Sequence, residues 1–67
     1  MVKKGEKVEW RTSQGPTRGK VVETKTSDFD IGGTHLKASE DDPKVVVKSD
    51  KTGKEAGHKP SSVKKVG

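Results

Sequence analysis

The residues of this sequence that could do chemistry are two histidines and a large set of lysines and carboxylates, with no cysteine. His35 and His58 are far apart in the sequence and form no His-x-x-x-His pair, so the ligand count of a zinc site is not met. Serine, histidine and aspartate all occur, but no nucleophile elbow is present, and so short a chain offers little concave volume that excludes water. We therefore expect no metal, no cofactor and no catalysis.

Three short motifs resemble parts of known sites but have simpler explanations. Asp50-Lys51-Thr52-Gly53 also occurs in the phosphorylated loop of ion-pumping ATPases, whose chemistry needs a doubly wound α/β domain and further magnesium-binding carboxylates. A β-turn with Asp first and Gly fourth explains all four residues. Gly32-Gly33 lacks the offsets of a dinucleotide fingerprint or a Walker loop and predicts a hairpin turn. The acidic run Glu40-Asp41-Asp42 lacks the spaced oxygens of a calcium loop and is expected to be solvated.

Positive charge is the strongest functional signal, and it is unevenly distributed within a formal net charge of +5. Residues 1–25 carry seven Lys or Arg against three acids, residues 26–43 one against five, and residues 44–67 seven against two. Because a surface of Lys and Arg attracts polyanions and releases their condensed counterions, nucleic acid is the leading class of partner. We predict that six cationic side chains contact the polyanion: Lys7, Arg11, Arg18, Lys20, Lys48 and Lys59.

The same charges leave other functions open. Lysine-rich surfaces keep small domains soluble and protect edge strands, so a purely solvating role is the plain alternative. Lys and Arg at the mouth of a barrel could instead hold the phosphates of a phosphorylated nucleotide or dinucleotide cofactor. A third alternative is a protein-interaction or self-association surface that uses Val46 and the flat sheet of residues 45–59. With Trp10 and Phe29 as the only aromatic residues, contact with a duplex or a phosphate backbone is favoured over single-strand readout by base stacking.

Length and composition restrict the class of protein. A chain of 67 residues has room for one hydrophobic core, so we expect a single domain over residues 1–67. The longest apolar run, Val45-Val46-Val47, is too short for a signal peptide or a membrane span, and the lack of cysteine indicates no oxidising compartment. We expect a cytoplasmic protein with no membrane contact. Because 37% of the residues are charged and only 24% are hydrophobic, disorder competes with folding, and the hydrophobic pattern is what argues for a fold.

The hydrophobic pattern predicts an all-β fold. Alternation, β-branched residues and turn residues indicate strands at 6–11, 17–25, 44–49, 54–59 and 64–66. Between the second and third of these, a hairpin insert turns at Gly32-Gly33 with Phe29 facing Leu36. Gly19 is expected to bend the second strand, and a single helical turn at Pro60 precedes the last one. Five short strands at this spacing favour a small five-stranded barrel, because closure removes exposed edges.

The predicted strands also predict a core. Its members are the residues that the alternation turns inward: Val8, Trp10, Val21, Ile31, Leu36, Val45, Val47, Ala56 and Val63. Val46 points away from Val45 and Val47, so it is either covered by the hairpin insert or exposed.

Four segments resemble a known family: Gly5-x-x-Val8-x-Trp10, Gly19-x-Val21-Val22, Lys37-Ala38-Ser39-x-Asp41-Asp42-Pro43 and the run Val47–Pro60. Together they are similar to the hypervirulence-associated protein TUDOR-domain family over nearly the whole chain. The resemblance implies a small SH3-like barrel, found chiefly in short stand-alone bacterial proteins. The sequence departs from the family pattern at Lys44, where an aromatic residue often follows the Asp-Pro pair. Trp10 and Phe29 alone cannot form the cage of several rings that recognises methylated Lys or Arg, so that activity is not expected.

Overall fold

The computed structural model describes residues 2–66, which form strands and one short 3₁₀ turn. The strands, numbered in chain order, are β1 (Lys7–Thr12), β2 (Gly15–Lys25), β3 (Phe29–Ile31), β4 (Thr34–Leu36), β5 (Lys44–Ser49), β6 (Glu55–His58) and β7 (Val63–Lys65), with the 3₁₀ turn at Pro60–Ser62. The predicted order of two strands, a hairpin insert, two strands, a helical turn and a last strand is confirmed. No helix within residues 2–66 is long and apolar enough to cross a membrane.

Five strands form one antiparallel sheet in the order β6-β5-β2-β1-β7, and β3 and β4 form a separate hairpin. The first strand pairs with both the second and the last, as an SH3-like barrel requires. The helical turn before the last strand completes this architecture, so the predicted five-stranded barrel of Tudor type with a hairpin insert is confirmed. β6 and β7 are the two edges of the sheet and are not hydrogen-bonded to each other.

The long strand β2 carries the curvature of the sheet, because its first part pairs with β1 and its second part with β5. Its register with β5 shifts between Val21 and Glu23, so the bulge lies there and not at Gly19, where the bend was predicted. Gly19 is needed for another reason. A Cβ at this position would overlap the backbone carbonyl oxygen of Lys48 and lie 2.7 Å from the Trp10 ring. The missing side chain lets the strand and the indole approach closely.

The core lies inside the curled sheet and consists of one cluster: Val8, Trp10, Val21, Val45, Val47 and Val63. Val8, Trp10 and Val21 alternate with more exposed neighbours, which is why this part of the core could be predicted from the sequence. Ile31, Leu36 and Ala56 were also predicted to be core residues, but they are only half-buried. For Ile31 and Leu36 the reason is that the hairpin is a separate sheet outside the barrel.

The hairpin covers the outer face of β5 and β6. Val46 is buried but lies outside the core cluster, and it pairs with Gly57, so both residues face the same side of the sheet. A Cβ on Gly57 would lie 2.5 Å from Leu36 Cδ1 and 3.1 Å from Phe29 Cζ. These two hairpin residues face each other, as predicted. Val46 is therefore covered by the insert, and a self-association surface centred on it is not available.

Candidate polyanion-binding face

The pairing of β1, β2 and β5 aligns three of the predicted cations, which we call the lysine row. Lys7 pairs with Lys20, and Lys20 pairs with Lys48. Residues paired in this way point to the same face, and neighbouring strands are about 4.8 Å apart, so the row spans about 10 Å. All three lysines are exposed, whereas their chain neighbours Val8 and Val47 are buried on the opposite face. The lysine row therefore lies on the outer face of the barrel.

Arg18 continues this outer face beside the lysine row. It lies two residues before Lys20 on β2 and pairs with Glu9, whose Oε1 is 3.2 Å from Arg18 Nε. On its other side Glu9 pairs with Lys64 of β7. Lys64 was not among the predicted cations, because the pairing of the last strand with the first leaves no local signal in the sequence. The face thus combines the lysine row with a row of Arg18, Glu9 and Lys64, in which Glu9 lies between two cations and is within ion-pair distance of Arg18.

No carboxylate within residues 2–66 forms an ion pair with the lysine row. The ion pairs among residues 2–66 involve other cationic residues: Arg18, Lys25, His35, Lys44 and Lys65. Glu55 lies opposite Lys48 on β6, but the two side chains are not within ion-pair distance. Like charges placed directly opposite one another destabilise a sheet. The row is therefore a concentrated positive charge that no direct ion pair within the described residues neutralises, with Glu55 as the carboxylate opposite its Lys48 end.

The other two predicted cations lie away from the lysine row. Arg11 is near the end of β1, where it pairs with Pro16 and lines a cleft. Lys59 follows β6 and lies near Asp42, whose pKa is lowered mainly by the hydrogen bond from Lys44 and in part by the charge of Lys59. Lys44 and Lys48 are at opposite ends of β5, about 13 Å apart along the strand. The structure thus places Lys7, Arg18, Lys20 and Lys48 on neighbouring positions of one face. Arg11 lies farther along β1 than Lys7, and Lys59 is separated from the row.

Three carboxylates of the acidic insert, residues 26–43, contact His35 or Lys44, the residue that follows the insert. The His35 ring lies between two carboxylates, with Nδ1 at 2.9 Å from Asp30 Oδ1 and Nε2 at 3.6 Å from Asp28 Oδ2. The hydrogen bond to Asp30 is the largest cause of the raised pKa of His35. Asp42 Oδ2 lies 2.9 Å from Lys44 Nζ. These contacts direct the carboxylates of Asp28, Asp30 and Asp42 to partners other than the lysine row.

Aromatic rings and metal ligands contribute little to this face. Trp10 is 5% exposed and lies in the core, and Phe29, on the hairpin strand β3, packs over Gly57. Trp10 lies on the opposite face of the sheet from the lysine row and Phe29 is half-buried at its contact with Gly57, so neither ring is an exposed stacking platform. Across the described residues, no group of three His, Cys, Asp or Glu side chains is arranged to hold a metal ion. The chemistry of the face is that of exposed ammonium and guanidinium groups.

The comparisons with known proteins agree with this fold. The family model described as the hypervirulence-associated proteins TUDOR domain matches residues 5–63, from the turn before β1 to the first residue of β7. No curated protein and no solved structure matches the chain. Tudor-like domains are in general small non-catalytic binding modules. Since the match covers nearly the whole chain, the protein belongs to the hypervirulence-associated protein TUDOR-domain family.

Proposed function

We propose that the protein is a non-enzymatic module that binds nucleic acid by its phosphate backbone, using the lysine row and Arg18. The observation that supports this function is the in-register alignment of Lys7, Lys20 and Lys48, none of which forms an ion pair with a carboxylate within residues 2–66. Such an alignment destabilises the free protein, and a bound polyanion relieves the repulsion. Ammonium groups at this spacing can each approach a different backbone phosphate, and each phosphate that they neutralise releases counterions.

The chemistry of the face favours backbone contact over base readout. Base stacking needs exposed rings, but Trp10 is buried and the hairpin residue Phe29 packs against Gly57. Lysines act as point charges on flexible stems, which suits phosphate contact without sequence preference. The proposed binding is therefore driven by charge and depends strongly on salt.

The salt dependence can be calculated from the number of cations. Four phosphate contacts give a slope of log affinity against log salt concentration of about −3.6, so affinity for a short duplex falls about 10²-fold between 50 and 200 mM salt. Fluorescence anisotropy with a labelled duplex of mixed sequence measures this slope directly. Affinity that does not change with salt would exclude the proposal.

Charge reversal within and outside the face tests its location. Lys20→Glu with Lys48→Glu should weaken duplex binding by at least about tenfold and reduce the salt slope by about two. The matched control, Lys37→Glu with Lys59→Glu, makes the same change in net charge away from the lysine row. It should retain most of the affinity and the original slope. Equal losses in the two double variants would mean that only the total charge matters, and the assigned face would be wrong.

A further inference from the structure

The barrel is open along the seam between its two edge strands, and a cleft lies there. Its volume is about 430 Å³, within the range of small-molecule sites. We call it the seam cleft; it is lined by Glu9, Trp10, Arg11, His58, Ser62 and Lys64. These residues come from β1, β6, the 3₁₀ turn and β7, so the cleft exists only because the sheet curls without closing.

The charged groups of the seam cleft favour an anion. Arg11 and Lys64 have no ion-pair partner among residues 2–66. The one carboxylate of the lining, that of Glu9, is already bound by Arg18 Nε at 3.2 Å. The hydroxyl of Ser62 adds a hydrogen-bond donor. A guanidinium, an ammonium and a hydroxyl around one space are the donors that bind phosphate and carboxylate groups.

His58 provides an independent observation in the same cleft. Its Nε2 is shielded from solvent and has no hydrogen-bond partner among the protein atoms of residues 2–66. The ring packs against Trp10 with centroids 5.7 Å apart and an interplanar angle of 40°. Buried polar atoms in proteins are normally bonded, so packing alone does not account for an imidazole here. The His58 ring lines the cleft, so an occupant of the cleft lies beside this imidazole.

We propose that the seam cleft binds a small molecule through a phosphate or carboxylate group. Arg11 and Lys64 neutralise the oxyanion, Ser62 and His58 donate hydrogen bonds to it, and Trp10 forms the floor. This site is separate from the lysine row and does not depend on nucleic-acid binding.

The test is an amide NMR titration with inorganic phosphate and, separately, with acetate, at an ionic strength held constant with chloride. Saturable shifts at Arg11, His58, Ser62 and Lys64 with either anion are the expected result. Saturation with phosphate alone identifies a phosphate site, saturation with acetate alone identifies a carboxylate site, and saturation with both identifies a general oxyanion site. Bound anion should also raise the pKa of His58, followed through its ring protons, because a negative charge favours the imidazolium form.

Exposed residues supply matched variants that leave the core intact. Arg11→Gln with Lys64→Gln should weaken the saturable binding at least about tenfold, whereas Lys7→Gln with Lys20→Gln should change it less than about twofold. Shifts that do not saturate, that spread evenly over the lysine-rich surface, or that persist unchanged in the Arg11 and Lys64 variant would overturn the proposal. A protein that binds phosphate in the cleft but no duplex would retain this site while losing the proposed function.

Discussion

The two histidines occupy opposite environments. His58 lies partly buried against Trp10, and desolvation lowers its pKa. His35 is exposed between two carboxylates, and the hydrogen bond to Asp30 is the main cause that raises its pKa. Acidification therefore changes the contributions of the two side chains to the free energy of unfolding in opposite directions.

Replacing His58 should make the protein less sensitive to acid. In the unfolded chain a histidine has a pKa of about 6.5, above that of His58 in the fold. Above that pH both states are neutral and the side chain makes no pH-dependent contribution; below it the unfolded chain binds the proton more readily, and the free energy of unfolding falls. Thermal unfolding should be measured between about pH 8 and pH 5. The stability of His58→Phe relative to wild type should increase as the pH falls. An advantage that is constant over this range would contradict the assigned cause.

His35→Gln gives the opposite sign within the same experiment. Because the folded pKa of His35 is raised, its contribution is fully present below about pH 6.5 and is lost as the pH rises through the folded pKa. The variant should therefore be less stable than wild type near pH 5.5 and should approach it near pH 8.5. If both variants changed in the same direction, the carboxylate contacts of His35 would not hold in solution.

Among the elements, the β3–β4 hairpin depends on one glycine of β6 for its docking. Gly57→Ala places a methyl group 2.5 Å from Leu36 Cδ1 and 3.1 Å from Phe29 Cζ, so the Leu36 side chain or the hairpin that carries it must shift. Overpacking of this kind costs about 1–3 kcal/mol of unfolding free energy. Chemical denaturation measures it, and Gly32→Ala serves as a control, because a Cβ there meets no atom within 4 Å and adds only the strain of φ +55°.

A second substitution shows whether the cost arises at this contact. Leu36→Ala removes the side chain that the new methyl group strikes, so in its presence Gly57→Ala should cost less, with a coupling of about 0.5–2 kcal/mol. Strictly additive effects would mean that the hairpin does not pack over Gly57.

The elements were predictable from the sequence where the signal is local. Strand β5 occupies the predicted residues 44–49, and the hairpin turns at Gly32-Gly33, because β-branched runs and glycine pairs act through the nearest residues. The bulge beyond Val21 and the docking of the hairpin outside the barrel were not predictable. Both depend on which strands meet, and a sequence pattern of period two carries no information about distant partners.

The candidate face also has features that the local sequence predicts and features that only strand pairing determines. Positive charge on the outer face follows from alternation with buried valines, so Lys7, Lys20 and Lys48 could be predicted as candidates. Their alignment in one row, the separation of Lys59 and the contribution of Lys64 are set by register. Register between strands far apart in the chain is determined by packing and bulges, which are visible only in the folded molecule.

Across the whole molecule, positive charge is concentrated on the proposed binding face, where it is expected to reduce stability. The formal net charge is +5, and three carboxylates of the insert contact His35 or Lys44. In the lysine row, Lys20 lies opposite Lys7 on one side and Lys48 on the other, so like charges face one another across three strands. A chain of this size has a small margin of stability, so a few tenths of a kcal/mol are measurable. Binding sites commonly reduce stability in this way.

Neutralising the centre of the lysine row should therefore stabilise the free protein. Lys20→Gln removes the charge that lies opposite both Lys7 and Lys48, and we expect about 0.2–1 kcal/mol more unfolding free energy at low salt. The gain should vanish near 1 M salt, where the Debye length is about 3 Å. Lys44→Gln is the matched control, because Lys44 pairs with Asp42 at 2.9 Å and its loss should not stabilise the fold. If Lys20→Gln were neutral or destabilising at low salt, the row would carry no repulsion for a polyanion to relieve, and the main support for nucleic-acid binding would be lost.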